Sequence, residues 1–559
     1  MATHEIDSND AGGLSRRHVL IGGAALGAGA VLAACGDDDG GSTATTTGGG
    51  TETTAGGSTE TTTGGTTETT AAAGDVKRGG TLRVGLVGST NDIIDGQYIV
   101  TKADQARLVL GWEGLVHYDS DFNLSYEHAL AESIDAVAPD HYIVHLKSGI
   151  TWHDGKPLTA DDVVYSFQRR LNPESDVKLG SLVALLDNDG VTKVDDLTVD
   201  IKLLQGAVTF LNVLAEYTLT VVPVGYTRDG EQIGTGPFKL KSFTPGSESV
   251  HVRNENYWGG ADIPYLDEVQ IIDFADATAM INALKSGDVD VIADVPFALA
   301  DSLAGNGISI LESEAGNWLT ITMAIDQAPM DNPKVRQAMR LICDRQEMVN
   351  RVLAGHGSVG NDLYGRLDGC YNTEIPQRVQ DLDQAKTLLE EAGMAGMSID
   401  LFAPDDTAGL PELIAVFAEQ AKGAGITVNA QVLDGGTYWG EEYTKRTFAT
   451  SFWGTRPYLV QVAAGSLKDA TYPETHWPPA DSDFTDKYNE ALQTVDTDAR
   501  CAIIHEMQQE EWDNGGFIIP FFNNLLDGVS DYVKGFEARK NLLNLDHFGR
   551  GMKRIWLDV

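Results

Sequence analysis

From Gly36 to Gly74 the chain carries no large apolar side chain: Asp37-Asp38-Asp39 is followed only by Gly, Thr, Ser, Ala and isolated Glu. Such a tract cannot bury enough apolar surface to offset its chain entropy, so it is expected to stay disordered. Any fold must therefore begin after it, near Gly79. As a Gly-rich coil of about 40 residues the tract would reach roughly 35 Å. The stretch from Gly79 to Val559 is long enough for two or three domains. Apolar residues are 42% and aromatics 8% of the chain, enough for a large core. The 82 Asp+Glu against 40 Lys+Arg leave a net charge of −42. That excludes nucleic-acid binding, which needs clustered Lys and Arg to neutralise phosphates. It otherwise describes a solvated acidic surface.

The segment before the tract is not part of the fold either. Arg16-Arg17 precedes a short, weakly hydrophobic run from Ile21 to Leu32, which ends in Leu32-Ala33-Ala34-Cys35. A paired arginine ahead of such a run resembles a bacterial twin-arginine export signal, although His18-Val19 departs from the usual pattern. The run is too short and too weakly apolar for a membrane-spanning helix. Leu-Ala-Ala-Cys resembles the lipobox of bacterial lipoproteins. That resemblance implies a signal peptide over 1–34, an acylated Cys35 and a tether over 35–78. The expected location is extracytoplasmic, with the protein lipid-anchored to the cell membrane, at the cell surface or in the periplasm. Cys343, Cys370 and Cys501 remain, without any C-x-x-C pair. One disulfide with one thiol left over is open to them, and the sequence does not say which two pair.

Beyond Gly79 the pattern mixes strands and helices. Thr81–Leu86 and His141–Leu146 read as strands. Thr159-Ala160-Asp161-Asp162 is a capping box opening a helix that Asn172-Pro173 ends. Asp331 and Pro333 announce a second helix with Val335, Met339, Ile342 and Met348 on its apolar face. A third runs through Ala385, Leu388 and Leu389 and closes at Gly393, a C′ glycine. No 20–50-residue repeat is present, which excludes solenoids and propellers.

Motifs for catalysis fail on their context. Gly355-His356-Gly357-Ser358-Val359-Gly360 has the G-x-G-x-x-G spacing but follows a predicted helix, not a strand. His505-Glu506 lacks the second histidine of a metalloprotease pair, and neither a G-x-S-x-G elbow nor a phosphate-binding G-x-x-x-x-G-K-[ST] loop occurs. His153-Asp154-Gly155 reads as turn chemistry. No catalytic residue, metal ligand or cofactor site is expected.

Four long stretches carry a different signal. The first is Leu130-Ala131-Glu132-Ser133 leading to Gly149-Ile150-Thr151-Trp152-His153-Asp154-Gly155-Lys156-Pro157-Leu158-Thr159-Ala160-Asp161-Asp162-Val163. The second is Gly234-Thr235-Gly236-Pro237-Phe238-Lys239-Leu240, followed by Arg253-Asn254-Glu255-Asn256-Tyr257-Trp258-Gly259 and Pro264-Tyr265-Leu266-Asp267. The third is Ala283-Leu284-Lys285-Ser286-Gly287-Asp288-Val289-Asp290, and the fourth Asn332-Pro333-Lys334-Val335-Arg336-Gln337-Ala338-Met339. In this order they resemble the family 5 extracellular solute-binding proteins of bacterial ABC importers, which include dipeptide-, oligopeptide- and nickel-binding members. Most of these residues read as packing and turn positions rather than ligand contacts.

The resemblance implies an α/β fold: a two-lobe, periplasmic-binding-protein-like class II architecture of hinged mixed sheets, with a smaller subdomain inserted in the first lobe. Lobe I would comprise about 79–115, 225–325 and 518–559, the insertion about 116–224, and lobe II about 326–517. It also implies a receptor that captures a small peptide-like or opine-like solute between its lobes. The closed form would be delivered to permease and ATPase subunits in the membrane, with the receptor acting as a monomer. An extracellular hydrolase or a ligand sensor on the same scaffold is the alternative reading.

Cargo selection is expected where lobe II faces the cleft. Peptide-binding members place an acid in a Gly-Trp-x-x-Asp stretch to meet the peptide ammonium. The matching Phe452-Trp453-Gly454-Thr455-Arg456-Pro457-Tyr458 puts Arg456 there and reverses the charge. A guanidinium suits a ligand carboxylate or phosphate; pairing with one of the chain's own acids is the competing role. Asn361-Asp362 resembles an Asn-Asp pair of one subgroup, so Asp362 would meet a ligand amine or serve as a capped loop acid. Trp318, Tyr364, Trp453 and Tyr458 are candidate aromatic walls of the cleft, or else core.

Overall fold

The computed structural model describes residues 76–172, 174, 175, 177, 185–440, 443–540 and 543–559. The export signal, Cys35 and the tether up to residue 75 lie outside the described residues.

Thr81–Val87 is the innermost strand of the first lobe, pairing in parallel with Glu268–Phe274 and Val291–Ile292. Its Leu82, Val84 and Leu86 are buried, the period-2 signature of a strand set into a core. Glu248–Arg253 and Phe238–Thr244 extend the same sheet antiparallel. In the second lobe, Ser398–Pro404 pairs in parallel with Thr427–Leu433 and Phe448–Trp453.

Two long strands, Ile308–Met323 and Phe517–Ser530, join the halves into one mixed sheet of eleven strands among the described residues. They run antiparallel from Ile308 opposite Ser530 to Thr322 opposite Phe517. One end of the pair meets Val291–Ile292, and the other meets Phe448–Trp453. Their register shifts between Ser313 and Asn317, where the ladder between the lobes is locally interrupted.

Apolar packing follows this partition. Leu82, Val84, Leu110, Val269 and Val291 belong to one first-lobe cluster, while Ile321, Met339, Phe417 and Phe448 belong to a second-lobe one. A four-stranded antiparallel sheet, Ala131–Ala138, His141–Leu146, Thr198–Lys202 and Val191–Asp195, forms the inserted subdomain. Its core holds Tyr142, Val144, Trp152, Phe167 and Val199.

The helix Ala160–Leu171 opens with the capping box between Thr159 and Asp162, and Gly393 follows Leu382–Glu391 with φ +72°. The second predicted helix is instead two, Pro333–Leu341 and Arg345–Val352. The apolar spacing continues through the break, but Asp344 caps the second helix by accepting from the Glu347 amide. Cys370 is disulfide-bonded to Cys501, with Cα atoms 4.9 Å apart, and Cys343 is a buried thiol. Among the described residues no helix is long and apolar enough to cross a membrane.

Candidate functional site

Arg456 sits in the loop between the strand Phe448–Trp453 and the short helix Tyr458–Gln461. Both flanks of that loop are pinned. On one side the Thr455 amide and Oγ1 donate to Asn317 Oδ1 at 2.8 and 3.0 Å, and the Gly316 amide donates to Thr455 Oγ1 at 2.8 Å. On the other, the Tyr458 amide donates to Asp368 Oδ2 at 2.8 Å. The loop is therefore tied to the crossing strand at its register shift, and little freedom is left for Arg456 to lose on binding.

The guanidinium carbon of Arg456 lies 5.3 Å from the centre of the Trp453 ring. Its Nη1 is shut off from solvent and meets no hydrogen-bond acceptor among the described residues. Burial pushes the Arg456 pKa below its ordinary value, with Glu216, Tyr217 and Tyr472 acting in the opposite direction. Glu216 and Tyr217 follow the helix Phe210–Leu214 of the inserted subdomain.

Beside them a cavity of about 80 Å³ is lined by Trp112, Glu113, His117, Glu216, Tyr217 and Lys553, among others. Glu113 is already engaged, accepting from Tyr257 at 2.6 Å, Trp258 at 2.7 Å and Thr235 at 2.9 Å. Glu216 is exposed to water, although desolvation is the first cause of its raised pKa, with Arg456 and Arg170 pulling it back down. Sequence reasoning missed Glu216 and Tyr217. The available signal was an acid two residues beyond the apolar helix Phe210–Leu214.

The other expected contact residues lie in the framework of the second lobe. Asp362 is buried and accepts from Arg345 Nη2 at 2.6 Å, from Arg378 Nη1 and from the Ile519 amide at 3.0 Å. Burial alone would raise its pKa, but Arg345 and Arg378, with Arg340 behind them, hold it below the ordinary carboxylate range. It is a satisfied core ion and has no face for a ligand amine. Asn361 accepts from the Arg378 amide at 2.8 Å and donates to Pro376 at 3.2 Å, which makes it part of the same framework.

The four aromatic residues are likewise core. Trp318 stacks on Tyr364 at 5.7 Å and on Trp453 at 6.1 Å, and Tyr364 stacks on Tyr458 at 5.2 Å. None of them is more than 2% exposed. Their polar atoms face inward: Trp453 Nε1 donates to Glu474 at 3.0 Å, and the Tyr364 and Tyr458 hydroxyls donate to Glu511 at 2.6 and 2.7 Å. Rather than lining the cleft, the stack is the rigid floor beneath the Arg456 loop.

Residues 125–464 match the model of the bacterial extracellular solute-binding proteins, family 5. A glutathione-binding protein of Pectobacterium atrosepticum is 26% identical over 482 residues, which is 82% of this chain and 91% of the relative. A dipeptide-binding protein of Escherichia coli is 28% identical, over 71% of this chain and 80% of the relative. Among solved structures, an ABC-transporter substrate-binding protein of Listeria monocytogenes has a TM-score of 0.76 at 20% identity, covering 86% of this chain and all 100% of the other. The binding protein AgaA of A. tumefaciens R10, in complex with agropinic acid, has a TM-score of 0.68 at 23% identity, covering 86% and 99%. With a family model spanning more than half of its length and both lobes in place, the chain belongs to the family 5 bacterial extracellular solute-binding proteins.

Proposed function

We propose that this protein is the extracytoplasmic receptor of an ABC importer that captures a small acidic or zwitterionic solute, peptide-like or opine-like, with Arg456 gripping a carboxylate of the ligand. The observation that carries the reading is the unpaired Nη1 of Arg456, held in a pinned loop and shut off from solvent. A desolvated guanidinium without an acceptor gains strongly from a planar, two-point carboxylate. The glutathione- and agropinic acid-binding relatives agree with a ligand rich in carboxylates. Contacts to both lobes favour the closed form by differential affinity, and a permease would recognise that form. The reading takes lobe I as about 79–115, 225–325 and 518–559, the insertion as about 116–224, and lobe II as about 326–517. Cys35 would carry the lipid anchor and keep a monomeric receptor near its permease.

Mass spectrometry of small molecules released from protein made in its native host would identify the cargo, and titration with that cargo then tests the anchor. Arg456→Ala is expected to lose roughly 2–5 kcal/mol of binding, and Arg456→Lys to recover part of it. Wild-type affinity in a folded Arg456→Ala protein would overturn the assignment. Turnover of the cargo would favour a hydrolase instead. Release of Cys35→Ser protein from the membrane fraction checks the anchor.

A further inference from the structure

Gln461 ends the short helix Tyr458–Gln461 and leads into the π turn Val462–Ser466. One buried carboxylate fixes the backbone on both sides of it: Glu511 accepts from the Tyr458 hydroxyl at 2.7 Å and from Ser466 Oγ at 3.0 Å. Gln461 is only 1% exposed, yet neither its Oε1 nor its Nε2 meets a hydrogen-bond partner among the described residues. A buried amide left bare at both ends weakens a fold, and most buried polar groups escape that state by pairing. Trp453 connects this amide to the Arg456 site. A side chain added at Gly465 would start 2.7 Å from Trp453 Cζ2 and 3.0 Å from Gln461 Nε2, so the ring edge and the amide lie side by side. The Arg456 guanidinium carbon is 5.3 Å from the centre of the same ring, and its Nη1 is unpaired as well. Unpaired polar atoms of two residues thus gather around one indole.

We infer that Gln461 is a specificity-determining residue of the Arg456 site: its side-chain amide pairs with an amide group of the solute, next to the carboxylate that Arg456 grips. This deepens the proposed function and rests on its reading of Arg456. A carboxamide offers a donor and an acceptor whichever way it is turned, and another amide answers both. The solute class is then an N-acyl amino acid, of which the carboxyl end of a short peptide is one form. Discrimination follows from the same unpaired atoms. A solute with a carboxylate but no amide would leave Gln461 buried and bare, and a site built to hydrogen-bond a group rejects analogues that lack it. The fold carries a weakness at Gln461 that an apolar residue of the same length would remove, a pattern expected where binding and stability make opposite demands.

The test uses casein in three portions: an enzymatic digest of short peptides, the same digest carboxyl-esterified, and a complete acid hydrolysate, which keeps the carboxylates and breaks every amide. Binding is read by thermal shift and by mass spectrometry of retained compounds. Wild type is expected to retain peptides and to bind the esters and the free amino acids roughly tenfold or more weakly. Gln461→Met keeps the length of the side chain and drops both polar atoms. It should match or exceed the wild-type apo melting temperature, because two unpaired atoms leave the core. Its affinity for peptides should nevertheless fall to that for amino acids, while it still rejects esters. Gln461→Asn should restore part of the preference for peptides. Wild-type peptide affinity in Gln461→Met, or equal retention of amino acids and peptides by wild type, overturns the Gln461 assignment and leaves Arg456 standing. Equal binding of esters overturns the Arg456 reading instead. Retention of no compound from any portion overturns both.

Discussion

Tyr458 donates its hydroxyl to Glu511 at 2.7 Å, which ties the helix that begins two residues after Arg456 to the long helix Thr497–Asn514. Glu511 also accepts from Tyr364 at 2.6 Å and from Ser466 at 3.0 Å, so three hydroxyls solvate one buried carboxylate. Tyr458→Phe removes one donor and leaves the acceptor in place. It should therefore lower apo stability by about 1–3 kcal/mol, the cost of an unsatisfied buried polar group. Ligand affinity should fall as well, because the Arg456 loop loses one of its supports. Denaturant midpoints alongside calorimetric titration check both effects. Unchanged affinity at reduced stability would mean that the Asp368 cap and the Asn317 contacts hold the loop on their own.

Asp362 is the counter-ion of Arg345 and Arg378 in the second-lobe core. Asp362→Asn would leave two buried guanidinium groups short of a charge, and breaking a buried pair in this way costs roughly 3–5 kcal/mol. The expected outcome is a large drop in apo stability with near wild-type affinity in the folded fraction. A stable variant that lost binding would return Asp362 to the ligand site.

How far the sequence could be read is clear from particular residues. The caps at Thr159 and Gly393 are local, three to four residues wide, and stand where their spacing placed them. The break between Pro333–Leu341 and Arg345–Val352 is hidden because apolar residues keep helical spacing across it. Only the capping role of Asp344 reveals it. In the site, the type of charge at Arg456 was legible but its partners were not. Asp362 reads as a loop acid until Arg345 and Arg378, 17 and 16 residues away, are seen to converge on it. Glu216 joins a cavity lined by distant chain segments, from Leu108 to Lys553, and no periodicity encodes such a gathering. The backbone from Leu545 to Met552 has positive φ throughout, although only Gly549 and Gly551 favour that region, so propensity gives no warning of it.

The disulfide between Cys370 and Cys501 closes a separation of 131 residues within the second lobe. Chain-entropy arguments assign a cross-link of that span about 4–5 kcal/mol, acting mainly on the unfolded state. Reduction, or the double change Cys370→Ser with Cys501→Ser, should shift the urea midpoint downward by a corresponding amount while the folded protein still binds ligand. Thiol counting under denaturing, non-reducing conditions should find Cys343 reactive and Cys370 and Cys501 protected. All three reacting before reduction would refute the pairing.

Stability against pH should be shaped by two sets of buried groups that act with opposite sign over the same window, from about pH 4 to 7. Burial raises Glu511 and Asp527 to about 7, and burial with Asp92 nearby raises Asp104 to about 7. In the native state these carboxyls hold protons that the unfolded chain has already released. Their contribution is full at low pH and is lost as pH rises through about 7. Burial acts in the opposite sense on histidines, depressing His153 to about 4, His251 to about 3 and His117 to about 2. The unfolded chain binds those protons below about 6.5, so stability falls as pH drops beneath that value. Thermal melts of apo protein from pH 4 to 8 should change little above about pH 7, where both sets have finished titrating. Glu511→Gln, which stays neutral, should make stability climb more steeply between about pH 5 and 7, whereas His251→Asn should make it climb less steeply. A pH profile unaltered by Glu511→Gln would show that Glu511 is already ionised in the folded core.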